Sequence, residues 1–143
     1  MARIKKEYKV SKDMAVDELY RWTDFMDLDV DFEDQDLTEE EEKSRKDLLR
    51  TLTTAIQKGV LVVTDNYELQ HFTRCEDALT ITYREPRGST YLALDNIKEG
   101  HRNVAKMNQM LGAMCEMPAK TFATMAERDY KIAKAILTLF ITA

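Results

Sequence analysis

The chain is an α+β protein by its pattern: a small antiparallel sheet of about three strands over residues 60–84, packed with mostly C-terminal helices and preceded by an N-terminal helical part. Three observations predict this. Apolar residues recur at helical spacing on both sides of residues 60–84. Inside that window the pattern switches to a β-branched run and then to period-two alternation. Turn residues punctuate each change of period. With 143 residues, 44% of them apolar, the chain is long enough for one real core.

The first twelve residues read as a loose or strand-like start. A helix is predicted from about Asp13 to Met26, where Val16, Leu19, Tyr20, Thr23 and Met26 fall near one face and Trp22 and Phe25 widen it. Next, Met26, Leu28, Val30 and Phe32 alternate with Asp27, Asp29, Asp31 and Glu33. Aspartate is a poor strand former and close carboxylates repel, so this stretch is expected to be an extended, solvated arm. Thr38-Glu39-Glu40-Glu41 is a capping box, and its glutamates sit at the positive end of the helix dipole. The helix it starts carries Leu48, Leu49, Leu52, Ala55 and Ile56 as a buried stripe and stops at Gly59 after Lys58.

Val60-Leu61-Val62-Val63 then predicts a first strand, Asp65-Asn66 a turn, and Tyr67, Leu69 and His71 or Phe72 a second strand. A third strand over Ala78–Arg84 sets Leu79, Ile81 and Tyr83 against Thr80 and Thr82, and ends at Pro86 and Gly88. The rest is helical. Ser89 or Thr90 caps a helix through Ile97 that breaks near Gly100. A helix from Arg102 to Met114 turns Val104, Met107, Met110 or Leu111, and Met114 inward. Pro118 suits the first turn of a short helix carrying Phe122 and Met125, and a last helix from about Glu127 carries Tyr130, Ala133, Ile136, Leu137 and Phe140. The expected organisation is an N-terminal helical extension, 1–59, bearing an acidic arm at 24–42, and an α+β core, 60–143.

Net charge is −5, but 11 of the 26 acids lie between Asp24 and Glu42 with no base among them; the remainder has 15 acids and 21 bases, a net +6. Those bases are scattered without interleaved aromatics, so no nucleic-acid partner is expected. No apolar stretch approaches the roughly 20 residues of a membrane span, and the basic start leads into no signal-like apolar run. Cys75 and Cys115 are expected as reduced thiols, which places the chain in a cytosol.

Motifs that carry chemistry fail on inspection. Asp27, Asp29 and Asp31 open like a calcium loop, but Phe32 stands where that loop needs glycine and Thr38 where it needs a bidentate glutamate. His71, Cys75, His101 and Cys115 could form a zinc set only without metal-finger spacing. No phosphate-cradling glycine loop occurs, and nucleophilic catalysis has only a Cys75–His71 pair to draw on. The expectation is a protein without catalytic machinery, metal or cofactor. The feature that stands out is methionine: Met107, Met110, Met114, Met117 and Met125 fall within nineteen residues. Methionine fills cores, and it also recurs on surfaces that bind apolar partners of varied shape.

A strand closing on Tyr83-Arg84-Glu85-Pro86 is followed by helices, then a proline-capped short helix, Met125, the pair Asp129-Tyr130, and an aliphatic helix ending in Phe140-Ile141. This order, over roughly residues 60–143, resembles the tail assembly chaperones of siphophages and myophages. The resemblance implies a non-catalytic assembly factor that binds the tape measure protein, recruits major tail protein and self-associates. It also implies a protein of the host cytoplasm that is absent from the mature virion. The residues that would then meet an apolar partner are Met107, Met110, Met114, Met117, Phe122, Met125, Tyr130 and Phe140. The alternatives are a structural tail component or a small intracellular adaptor.

Overall fold

The computed structural model describes residues 9–28, 38–74, 79–88 and 103–142. Among them the order is α1 (Lys12–Phe25), α2 (Glu39–Gln57), β1 (Leu61–Val63), β2 (Leu69–Phe72), β3 (Thr80–Tyr83), α3 (Asn103–Cys115), α4 (Ala119–Ala123) and α5 (Glu127–Thr142). This is the α+β arrangement that the periodicity predicts. The acidic positions 29–37, Cys75, His101 and the helix expected from Ser89 to Gly100 lie outside the described residues. No described helix is long and apolar enough to cross a membrane.

The helix ends show how local chemistry sets the elements. Ser11 caps α1, its hydroxyl accepting the Met14 N–H at 3.3 Å. Thr38 caps α2 as expected, accepting the Glu41 N–H at 3.2 Å while its own hydroxyl donates to the Glu41 carboxylate. At the far ends α1, α2 and α3 close in the same way, with a left-handed residue after the last turn: Asp27 (φ 55°), Gly59 (φ 74°) and Glu116 (φ 56°). The next N–H reaches back to a carbonyl five residues earlier, Leu28 to Thr23, Val60 to Ala55 and Met117 to Gly112, at 2.9–3.0 Å.

The sheet is an antiparallel meander in the order β1-β2-β3, so among the described residues β1 is an edge strand. Leu61 faces His71 across the first pair, and His71 faces Ile81 across the second. Alternation puts Leu61, Val63, Leu69, His71, Ile81 and Tyr83 on the core face and leaves Val62 and Phe72 outside. The turn between β1 and β2 runs through Asp65-Asn66 as expected, but Tyr67 takes the left-handed position at φ 60°. That conformation is unfavourable for a bulky residue. Its ring is held by stacking on Phe25, centroids 4.2 Å apart, with the Arg21 guanidinium 5.2 Å from the centroid.

α2 packs on α1, on β1 and on α5, while α3 packs on α4, α5 and β3. One buried cluster runs from Ala15, Leu19 and Trp22 through Leu52 and Ile56 to Leu111, Ile136 and Leu137. Trp22 of α1 meets Phe140 of α5 edge to face at 5.4 Å. Residue 59 therefore does not divide the core: α1 and α2 supply one wall of the interior that the strands and α5 complete.

Four expected facings are corrected. On α1 the buried stripe is Ala15, Leu19, Trp22 and Thr23, and Tyr20 and Phe25 are exposed. The face turns so that the largest apolar side chain, Trp22, is sealed and small Ala15 admits the neighbouring helix, while the Tyr20 hydroxyl keeps to water. On α3 Val104 is exposed because the helix buries only its later turns, through Asn108, Met110, Leu111, Met114 and Cys115. Leu79 is exposed, since β3 begins one residue later and the Leu79 backbone is tied instead to Thr73. Pro118 is the residue before α4, in extended conformation, and not part of its first turn.

Candidate functional site

The methionine face proves to be largely interior. Met110, Met114 and Phe122 are buried, and Met107, Met117, Met125, Tyr130 and Phe140 are partly buried and packed against the same core. Tyr130 spends its hydroxyl on Asn108, donating to Oδ1 at 2.8 Å, so it braces α5 against α3. The structure brings these eight residues together as core filling, and none of them lines the recesses found among the described residues. The reason is that α3 turns its apolar face toward α5 and β3.

Among the described residues, three titratable groups that could do chemistry together are also sealed. His71 of β2, Tyr83 of β3 and Asp129 in the first turn of α5 are all fully buried. His71 Nδ1 lies 2.9 Å from the Tyr83 hydroxyl and Nε2 lies 3.3 Å from Asp129 Oδ1. Burial lowers the His71 pKa below its ordinary 6.5 against the pull of Asp129, and burial raises that of Tyr83 well above 10. The imidazole is therefore neutral and the phenol protonated. Since the carboxylate only accepts, Nε2–H donates to Asp129 and Tyr83 O–H donates to the bare Nδ1. The second carboxylate oxygen accepts the Arg74 N–H at 3.1 Å, and Arg74 Nε stands 3.6 Å from Oδ1. This relay pins the sheet to the start of α5, where the helix dipole favours a carboxylate. No open recess among those described exposes the imidazole, so its geometry suits a structural clamp.

Cys115 is a buried thiol with its pKa pushed up to about 12 by burial, which leaves it a poor nucleophile. Among the described residues no cluster of histidine, cysteine and carboxylates is arranged to hold a metal ion.

What the surface offers is recesses for other molecules. A groove of about 680 Å³ lies along edge strand β1, walled by Val10, just before α1, and by Met14 and Glu18 of α1, and floored by Ile56, Leu61 and Val63. Met14 (61% exposed), Val62 (39%) and Phe72 (40%) stand at its rim. A second groove, about 590 Å³, separates α1 from α2 and has charged walls from Glu39, Glu42, Lys43 and Lys46. A third, about 430 Å³, lies between the later half of α2 and the start of α5, lined by Arg50, Lys58, Arg74, Arg128 and Lys131 with Glu127 as its single acid.

No family model, curated protein or solved structure matches the chain. The site therefore has to be read from its own residues. Sequence reasoning missed Met14, Val62 and Phe72. Met14 was visible as a large apolar residue on the side of α1 away from Leu19 and Thr23. Val62 and Phe72 were visible as the alternate members of strands whose other members, Leu61, Val63, Leu69 and His71, fill the core.

Proposed function

We propose that the chain is a non-catalytic tail assembly chaperone of a long-tailed phage that holds an apolar helical segment of the tape measure protein, with the groove along β1 as the holding surface. One observation carries the choice of surface. The exposed apolar residues Met14, Val62 and Phe72 flank one groove on an unpaired strand edge, while the expected methionine face is packed inside. Exposed apolar residues clustered at a concave surface mark interaction sites, and a groove of this kind accepts the apolar stripe of an amphipathic helix. The order of motifs from Tyr83-Arg84-Glu85-Pro86 to Phe140-Ile141 supports the family, and recruitment of major tail protein follows from that same resemblance.

Co-expression tests the reading. The tape measure protein should be soluble and co-purify with the wild-type chain, and should return to the pellet with Val62→Glu combined with Phe72→Glu, a pair of surface substitutions that leaves the melting temperature within a few degrees. A tape measure protein that stays insoluble beside the wild-type chain refutes it. Recovery of the chain in purified virions would make it a structural tail component instead.

A further inference from the structure

Among the described residues, cationic side chains converge on one recess. The cleft of about 430 Å³ between α2 and α5 is lined by Arg50 of α2, Lys58 at its C-cap, Arg128 and Lys131 of α5, and Arg74 just after β2. Three described acids stand against these five cations. Asp47 pairs with Arg50 and Glu127 with Lys131, both in solvent-exposed contacts of little strength. Asp129 lies buried beneath Arg74, its Oδ1 3.6 Å from Nε. Five against three leaves a surplus of two positive charges in one small space.

The arrangement is built rather than merely basic. Arg74 and Arg128 each donate to the other's backbone carbonyl, which holds both guanidinium groups at the mouth of the cleft. A donor already fixed loses less freedom when a ligand arrives. Beneath them Ala55, Val60 and Ile132 are buried and apolar, and the Thr54 hydroxyl adds a neutral donor. Low-dielectric walls under charges of one sign focus the field into the recess.

The charge selects the class of ligand. A lone carboxylate offsets half of the surplus, whereas a phosphate monoester carries about −1.5 to −2 at neutral pH and presents three acceptor oxygens. Arginine forks meet such oxygens two at a time. The cleft has the size of a small-ligand site, roughly 300–1,000 Å³. No aromatic side chain lines it on which a nucleobase could stack, and its cations converge instead of forming a track for a strand. We propose that the α2–α5 cleft binds the phosphate or diphosphate group of a small anionic ligand. The inference rests on these side chains and not on the tail-chaperone reading, whose groove lies along β1.

Calorimetric titration of the full chain with inorganic diphosphate at low salt tests it. One diphosphate per chain should bind, more weakly as salt is added, and should raise the thermal midpoint. Lys58→Gln with Lys131→Gln should weaken binding at least about tenfold. Lys43→Gln with Lys46→Gln removes the same charge from the α1–α2 groove and should leave binding within about twofold. Circular dichroism checks that both pairs fold; if the first does not, Arg50→Gln at the exposed mouth should weaken binding about threefold. A nucleoside diphosphate bound as tightly as diphosphate assigns recognition to the phosphates alone, and tighter binding adds the nucleoside; both support the site. Absence of binding to the wild type overturns the proposal, as do equal losses in the two lysine pairs. Sulfate bound as tightly as diphosphate overturns it in favour of general anion attraction. A single-stranded oligonucleotide bound at least about tenfold tighter than diphosphate, and released by Lys58→Gln with Lys131→Gln, overturns it in favour of nucleic acid.

Discussion

At the scale of single residues, the fold is most exposed to damage at Asp129, His71 and Gly112. Asp129→Ala strands the His71 Nε2–H in a dry interior and takes the acceptor from the partly buried Arg74 N–H, and should lower stability by about 3 kcal/mol in urea titration. His71 also sets a pH dependence. Its pKa is lowered by burial, so below the ordinary value of 6.5 the unfolded chain binds a proton that the folded chain refuses. Stability should hold above that value and fall as pH drops from it toward the folded pKa, and His71→Gln should flatten this part of the melting-temperature profile. Gly112 matters for space: a β-carbon there would stand 2.6 Å from the Met117 carbonyl oxygen, in the very turn that closes α3. Gly112→Ala should cost about 1–3 kcal/mol, because the neighbour is backbone and cannot swing aside.

Elements were the most legible scale, because capping chemistry and periodicity are local. Thr38 and Gly59 bracket α2 where the sequence predicts, and Thr38→Ala should cost about 1 kcal/mol by removing the Glu41 cap, measured as a shift in thermal midpoint. Less legible was which side of an element faces inward. A helical period names a stripe only to within a residue or so, and α1 turned to bury Trp22 in place of Tyr20. The left-handed closures at Asp27 and Glu116 were invisible because neither residue is glycine; tertiary contacts at Leu28 and Met117 fix them. Tyr67 belongs with these, since its strained backbone is held by Phe25 and Arg21, partners more than forty residues away in sequence.

For the whole molecule, composition showed where charge collects but not where apolar faces meet. The methionines of α3 could be core or surface on sequence grounds; only the docking of α3 against α4, α5 and β3 assigns them to the interior. The same long-range packing explains why an apparent boundary at residue 59 dissolves. Helices α1 and α2 carry Leu19, Trp22, Leu52 and Ile56 into the cluster shared with α5. A fragment comprising residues 60–143 should accordingly lack the cooperative melting and dispersed amide spectrum of the full chain, since removing those side chains exposes the inner faces of β1 and α5.

The contact of Trp22 with Phe140 ties the beginning of the described chain to its end, and Trp22 is the only tryptophan the protein has. It is fully buried, so its emission is a single-chromophore gauge of whether α1 is seated on α5. A red shift on adding denaturant should coincide with loss of helical ellipticity if the two ends come apart with the rest. An earlier shift would time the departure of α1 from a body still folded.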